Sequence, residues 1–233
     1  LSDDISTVEE FIESLESILS FKNIIQDDGY KSVLNDLRAG GVREERWQNL
    51  IKNTEYACED LFKYYNSLAT HTLELPDKEL SELKEDISIA KDRLESGKKP
   101  NLTFFLFKGK QTKYLFENPV INNKAISKLD DFKPIEDYIK FQELKAETAR
   151  VFNGNMSEIN HAIINQKEAR FPHLLEERLS EIKNVLKVYE TMSELEAKFS
   201  ISDVDLYSIE EVDSLLKDVR QAKAYLEYKK WYK

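Results

Sequence analysis

The sequence predicts an all-α protein, and three observations carry that expectation. Gly (6) and Pro (5) are scarce in 233 residues, too few for the many tight turns of a sheet protein. Apolar residues recur at spacings of three and four over long stretches, the period of a buried helical stripe. Ser, Thr, Asp and Asn stand repeatedly where such stripes begin, as helix caps do. With 41% hydrophobic and 33% charged residues, the chain is apolar enough to fold. It is also charged enough to expose much of each helix. The architecture expected is an elongated antiparallel helical bundle or coiled-coil hairpin with a small irregular tip.

Thr7-Val8-Glu9-Glu10 has the form of a capping box, followed by a stripe of Val8, Phe11, Ile12, Leu15, Ile18 and Leu19. Asp27-Asp28-Gly29 breaks it. A short helix around 31–37 ends at Gly40-Gly41, and a long one runs from about Arg43 to Ala69. Trp47, Leu50, Ile51, Thr54, Ala57, Cys58, Leu61, Tyr65 and Leu68 lie on its inner side. Leu75-Pro76-Asp77 restarts the chain, with Asp77 the expected cap. Leu80, Leu83, Ile87, Ala90 and Leu94 then form a heptad seam, the pattern of a helix lying along a partner. Gly97 and Pro100 stop it.

Residues 98–126 are the least regular. Phe104–Phe107 reads as a short strand or buried turn, and 111–117 as one or two helical turns. Asn118-Pro119 and Asn122-Asn123 are turn signals. Ser127-x-x-Asp130 caps a second rod that reaches Phe152 and stops at Asn153-Gly154, with Pro134 marking where the helix proper begins. Asn155-x-x-Glu158 reads as the cap of a further helix interrupted at Pro172 and continued to Phe199. Ser208-x-x-Glu211 opens the last. The count is six to eight helices in three stretches: 1–75, a hairpin over 76–153 with its tip at about 98–126, and 154–233 returning along the bundle. Short connections between long helices imply antiparallel neighbours.

The formal net charge is −10, so the mean field repels phosphate and argues against indiscriminate nucleic-acid or membrane-surface binding. Cys58 stands alone, which excludes an intrachain disulfide framework and fits a reducing, cytoplasmic setting. There is no apolar run of about 18 residues and no signal-peptide pattern. The chain opens at Leu1 and is expected to be a fragment of something larger.

Phosphate-loop, dinucleotide and zinc patterns are missing. His71, His161 and His173 read as solvated or partly packed imidazoles, and Cys58 as a small buried hydrophobe. Glu143-Leu144-Lys145 downstream of Asp130 and Asp131 has the letters of a metal-dependent nuclease signature. That signature needs a strand, and here the letters fall on a helix. No catalysis and no cofactor are expected of this chain.

One stretch departs from the acidic background. Residues 96–116 hold Lys98, Lys99, Lys108, Lys110 and Lys113 and no Asp or Glu. They also hold Phe104, Phe105, Phe107, Tyr114 and Phe116. One reading is a small apolar plug closing the hairpin end, with the lysines keeping that end soluble. The other, compatible with it, is a contact surface for phosphate backbone or an acidic partner. The lysines supply charge there, and Phe105 and Tyr114 supply rings.

Residues 80–153 carry a further pattern. A leucine-periodic helix ends in Leu94-x-x-Gly97, and the basic aromatic stretch with Lys113-Tyr114-Leu115 follows. Val120-Ile121-Asn122-Asn123-Lys124 makes the turn, and a long helix runs to Phe152. This resembles the helical insertion, or arm, of large bacterial superfamily-1 DNA/RNA helicases. Relatives there often have Gly near Asn123 and Trp near Phe152; Asn can adopt the left-handed conformation of Gly, and Phe keeps an apolar ring. The resemblance implies an accessory arm whose ATPase motifs lie outside this chain, so that ATP and magnesium belong to the parent protein. DNA, RNA or a protein partner would be met at the tip. The competing expectation is a free-standing scaffold that docks a partner or forms a homodimer through its apolar seams.

Overall fold

The computed structural model describes residues 5–107, 109–201 and 204–231. Among these the chain forms ten α-helices and two short 3-10 turns, with no strand beyond isolated bridges at Leu73, Ile121 and Lys124. The helices are α1 (Ile5–Ser20), α2 (Lys22–Ile25), α3 (Asp28–Ala39), α4 (Val42–Ala69), α5 (Leu80–Glu95), α6 (Leu102–Phe107), α7 (Lys113–Glu117), α8 (Lys133–Glu158), α9 (Phe171–Phe199) and α10 (Ile209–Trp231). The all-α expectation holds. Seven helices are long, and α2, α6 and α7 are short pieces of four to six residues.

Contacts divide the chain into two compact units. One comprises 1–55, 152–163 and 174–233, and the other 56–151 and 164–173. In the first, α1 lies along α10. Val8, Phe11, Leu15 and Ile18 of α1 and Val212, Leu216 and Val219 of α10 are buried. Glu9 meets Lys223 at 2.8 Å and Glu16 meets Arg220 at 2.5 Å. α3 is capped by Asp27, whose carboxylate accepts from the Tyr30 N–H at 2.9 Å and from His161 Nε2 at the same distance. Trp47 is buried, and its indole N–H donates to Asp36 at 3.0 Å.

The second unit is built on the heptad seam. Leu83, Ile87 and Ala90 of α5 share one core with Leu115, Val120, Ile126, Phe132, Ile135 and Ile139. Lys84 pairs with Glu143, and Lys91 with Glu136 at 2.7 Å. A later residue of α5 thus meets an earlier one of α8, the order of antiparallel neighbours. The connection is held by Asn122 and Asn123, both with positive φ (50° and 59°). The left-handed conformation is one that Asn tolerates better than most residues. Asn122 is tied on both sides to Thr72, its N–H donating to the Thr72 carbonyl and its side-chain oxygen accepting from the Thr72 N–H, each at 2.8 Å.

Several boundaries differ from the sequence reading. α1 is already helical at Ile5 and runs through Thr7, so Thr7 does not cap it. α5 begins at Leu80 with Glu79 before it, so Asp77 does not cap it. α8 passes straight through Asn153-Gly154 to Glu158. Phe152 and Met156, four apart, are both buried there. Asn155 and Glu158 do not cap a new helix; both accept from Arg46. The stop comes at Asn160, φ +57°. The His161 N–H reaches the Met156 carbonyl at 2.9 Å and the Asn160 N–H reaches Ser157 at 3.1 Å, which is the Schellman arrangement. Pro172 falls in the first turn of α9, where a missing N–H costs nothing. Ser208 does open α10, accepting from the Glu211 N–H at 3.4 Å.

Candidate nucleic-acid interface

Residues 97–117, all in the second unit, form the basic aromatic surface. α5 ends where Gly97 takes φ +68°. Arg93, in its last turn, reaches over the break. Its guanidinium donates to the Lys99 carbonyl at 2.9 Å and lies 5.1 Å from the centre of the Phe104 ring. Asn101 then starts α6, its side-chain oxygen accepting from the Phe104 N–H at 3.0 Å. The 104–107 segment is therefore helical, and not a strand or turn.

The rings of this segment differ in burial. Phe104 and Phe105 are half-buried, with centroids 5.4 Å apart, and Phe105 lies 6.1 Å from Phe116. Leu102, Leu106 and Phe107 stay in solvent, with Phe107 81% exposed and Leu102 74%. The Gly109 N–H donates to the Phe104 carbonyl at 2.8 Å. Gly109 backs so closely onto Phe104 that a Cβ there would sit 2.2 Å from the ring. Thr112 is buried and its hydroxyl donates to the Gly109 carbonyl at 2.8 Å. These contacts fix the loop as a platform beneath the exposed face of α6.

Lys98, Lys99 and Lys110 are exposed, and no ion pair engages them among the described residues. Lys113 is also exposed but faces Glu117 at 3.4 Å. Lys108 lies outside the described residues. Tyr114 is half-buried: its hydroxyl donates to Asp86 at 3.1 Å, and Lys78 sits 5.1 Å from the ring centre. Burial, and then the Asp86 charge, hold its phenol well above the ordinary tyrosine range. Asp86 is itself buried, with Lys78 at 2.6 Å. Lys98 and Lys99 stand just before α6 in the chain and Lys110 just after it. The structure assigns Phe105 and Tyr114 to the interior side and puts Phe107 on the surface. That choice of ring was hidden in the sequence, because it depends on where α6 ends and on the contact of Phe105 with Phe116, eleven residues on.

The other chemistry-bearing groups are committed elsewhere. Glu143, on α8, pairs with Lys84 of α5. Lys145 is buried, donates to the Glu168 carbonyl at 3.1 Å and lies 5.6 Å from the ring centres of Phe141 and Phe171. Burial lowers its pKa from the ordinary lysine value. His173 is held edge-on to Phe62 and Tyr65. Cys58 is buried. Among the described residues no three His, Cys, Asp or Glu side chains are grouped to hold a metal ion, and no helix is long and apolar enough to cross a membrane. No protein-family model, curated protein or solved structure matches this chain.

Proposed function

We propose that this chain is an accessory helical arm of a nucleic-acid-dependent ATPase, without catalysis of its own, and that it touches nucleic acid through the surface around α6. The observation that carries the reading is Lys98, Lys99 and Lys110: exposed, outside any ion pair among the described residues, and close in sequence to an exposed ring in a chain of net charge −10. A local cluster of this kind supplies the positive potential that the mean field withholds. ATP and magnesium belong, on this reading, to the parent protein. The seams are a weaker basis for a homodimer, since Leu83, Ile87 and Ala90 are buried against residues of their own unit.

The test is nucleic-acid binding by the full chain as a function of salt, for wild type and for the K98Q/K99Q/K110Q variant. Each lysine lost from a phosphate removes about 0.7–0.9 from the log–log salt slope. The variant should therefore lose a slope of about 2–3 together with most of its affinity. Equal affinity and equal slope in the two proteins would refute the proposal. Binding to an acidic protein fragment in place of nucleic acid would refute it too, and would assign the surface to a protein partner.

A further inference from the structure

We infer that the nucleic acid this surface takes is single-stranded, with a base stacked on Phe107 and the backbone held by Lys98, Lys99 and Lys110. The inference rests on the nucleic-acid reading above and sharpens it. Four phenylalanines lie between residues 104 and 116, and the structure treats them unequally. Phe104 and Phe105 are half-buried, with Phe105 6.1 Å from Phe116, whereas Phe107 leaves 81% of its surface in water. Burying Phe107 with the others would have been favourable at roughly 25 cal/mol per Å², so its position outside is not explained by packing.

What α6 offers is faces and no forks. Its sequence is LTFFLF. It carries no Arg, Lys, Asn or Gln to read base edges in a groove, which is how duplex sequence is read. At about 1.5 Å per residue it is also roughly 9 Å long, too short to track a groove. In a duplex, each base face is covered by its neighbour, so an aromatic ring has nothing to stack on. In a single strand the faces are open, and aromatic side chains flanked by cations are the common solution. Leu102 and Leu106, one helical turn apart, are exposed as well.

The platform is also held ready. Arg93 ties the Lys99 backbone to the Phe104 ring, and Gly109 seats against that same ring. The backbone that carries Lys99 and Phe104 and the one that leads to Lys110 are therefore fixed relative to each other. Lys98 and Lys99 precede α6 in the chain and Lys110 follows it, and 96–116 contains no acidic residue.

The experiment uses the full chain with a fluorescein-labelled oligothymidylate and a blunt duplex of equal length, followed by anisotropy at low salt. Wild type should prefer the single strand. F107A should weaken single-strand binding by about 5- to 140-fold, the value of one base stack of roughly 1–3 kcal/mol. F107W should restore it, and F107L should not. If F107L restores binding as well as F107W, the surface reads apolarity and not a stacked base, and the inference fails. If the duplex binds as tightly as the single strand and F107A leaves both unchanged, the inference fails while the nucleic-acid reading stands. If neither probe binds, both fall.

Discussion

Replacing Asp86 tests whether the second unit is organised as its contacts indicate. The carboxylate is 3% exposed, accepts from Lys78 at 2.6 Å and from the Tyr114 hydroxyl at 3.1 Å, and sits next to Ile87 in the seam. Asp86→Ala leaves both donors without their partner. Removing one member of a fully buried ion pair costs about 3–5 kcal/mol. Here Lys78 is 26% exposed and regains part of its hydration, which lowers that share to about 1–2 kcal/mol. The half-buried Tyr114 hydroxyl adds about 1 kcal/mol. The sum is about 2–3 kcal/mol, or a fall of roughly 5–10 °C in the unfolding midpoint. Asp86→Asn keeps the volume and an acceptor for Tyr114 and should lose about half as much. The assay is thermal denaturation by circular dichroism, with D86A, Y114F and the double variant as a cycle. If D86A lies within about 0.5 kcal/mol of wild type, or if the two substitutions add, the Asp86–Tyr114 contact does not hold α7 to α5 in the way described.

Gly109→Val should loosen the 104–112 loop, because the new side chain meets the Phe104 ring far inside contact distance; the expected cost is about 1–3 kcal/mol, read as faster amide exchange in α6. At Asp27, burial acts to raise the pKa, but the Tyr30 N–H and His161 outweigh it and the net shift is downward. Its contribution is therefore complete above the ordinary aspartate value of 3.8 and lost as pH falls through the lower folded value. D27A should cost about 1 kcal/mol at neutral pH, the value of a helix cap, and denaturation curves should show that difference vanishing in strong acid. Lys145 has the opposite sense: burial lowers its pKa below 10.5, the unfolded chain holds the proton longer, and stability rises with pH as that value is approached from below. K145M should be neutral or stabilising near pH 7 and should remove that alkaline rise in a pH series of unfolding midpoints.

How much of this was legible in the sequence depended on whether the deciding interaction was local. The seam of Leu83, Ile87 and Ala90 was legible because the period of an apolar stripe survives any choice of partner. Ser208 was legible because a cap acts within one turn, and Asn122-Asn123 because few residues accept positive φ. What stayed hidden was non-local. Nothing in α1 says that its partner is α10, since one apolar stripe fits another. Asn153-Gly154 looked like a stop because its competitor, the burial of Phe152 and Met156 with Arg46 taking Asn155 and Glu158, spans more than a hundred residues. Asp86 carries no local signal of its burial, because its partners lie eight and 28 residues away. The basic composition of the candidate surface could be read directly, but the exposure of Phe107 and the contact of Phe105 with Phe116, eleven residues on, could not.

The same distinction separates the lysines of this surface from the other cations. Within the second unit Lys84 and Lys91 match Glu143 and Glu136; within the first, Lys223, Arg220, Lys198 and Lys183 match Glu9, Glu16, Glu10 and Glu55. Each exposed pair is worth about 0–1 kcal/mol, so such pairs fix which residues face each other more than they add stability. Lys98, Lys99 and Lys110 have no such role in register. In an acidic chain their charge attracts the rest of the molecule only weakly across water and salt. Their conversion to Gln should therefore move the unfolding midpoint by no more than about 1 °C, while D86A moves it several-fold further. A triple variant that unfolds markedly earlier would mean that these lysines hold the fold together, and any loss of binding would then carry no information about a surface. A variant with wild-type stability and lost binding would place their function outside the fold, in whatever the surface meets.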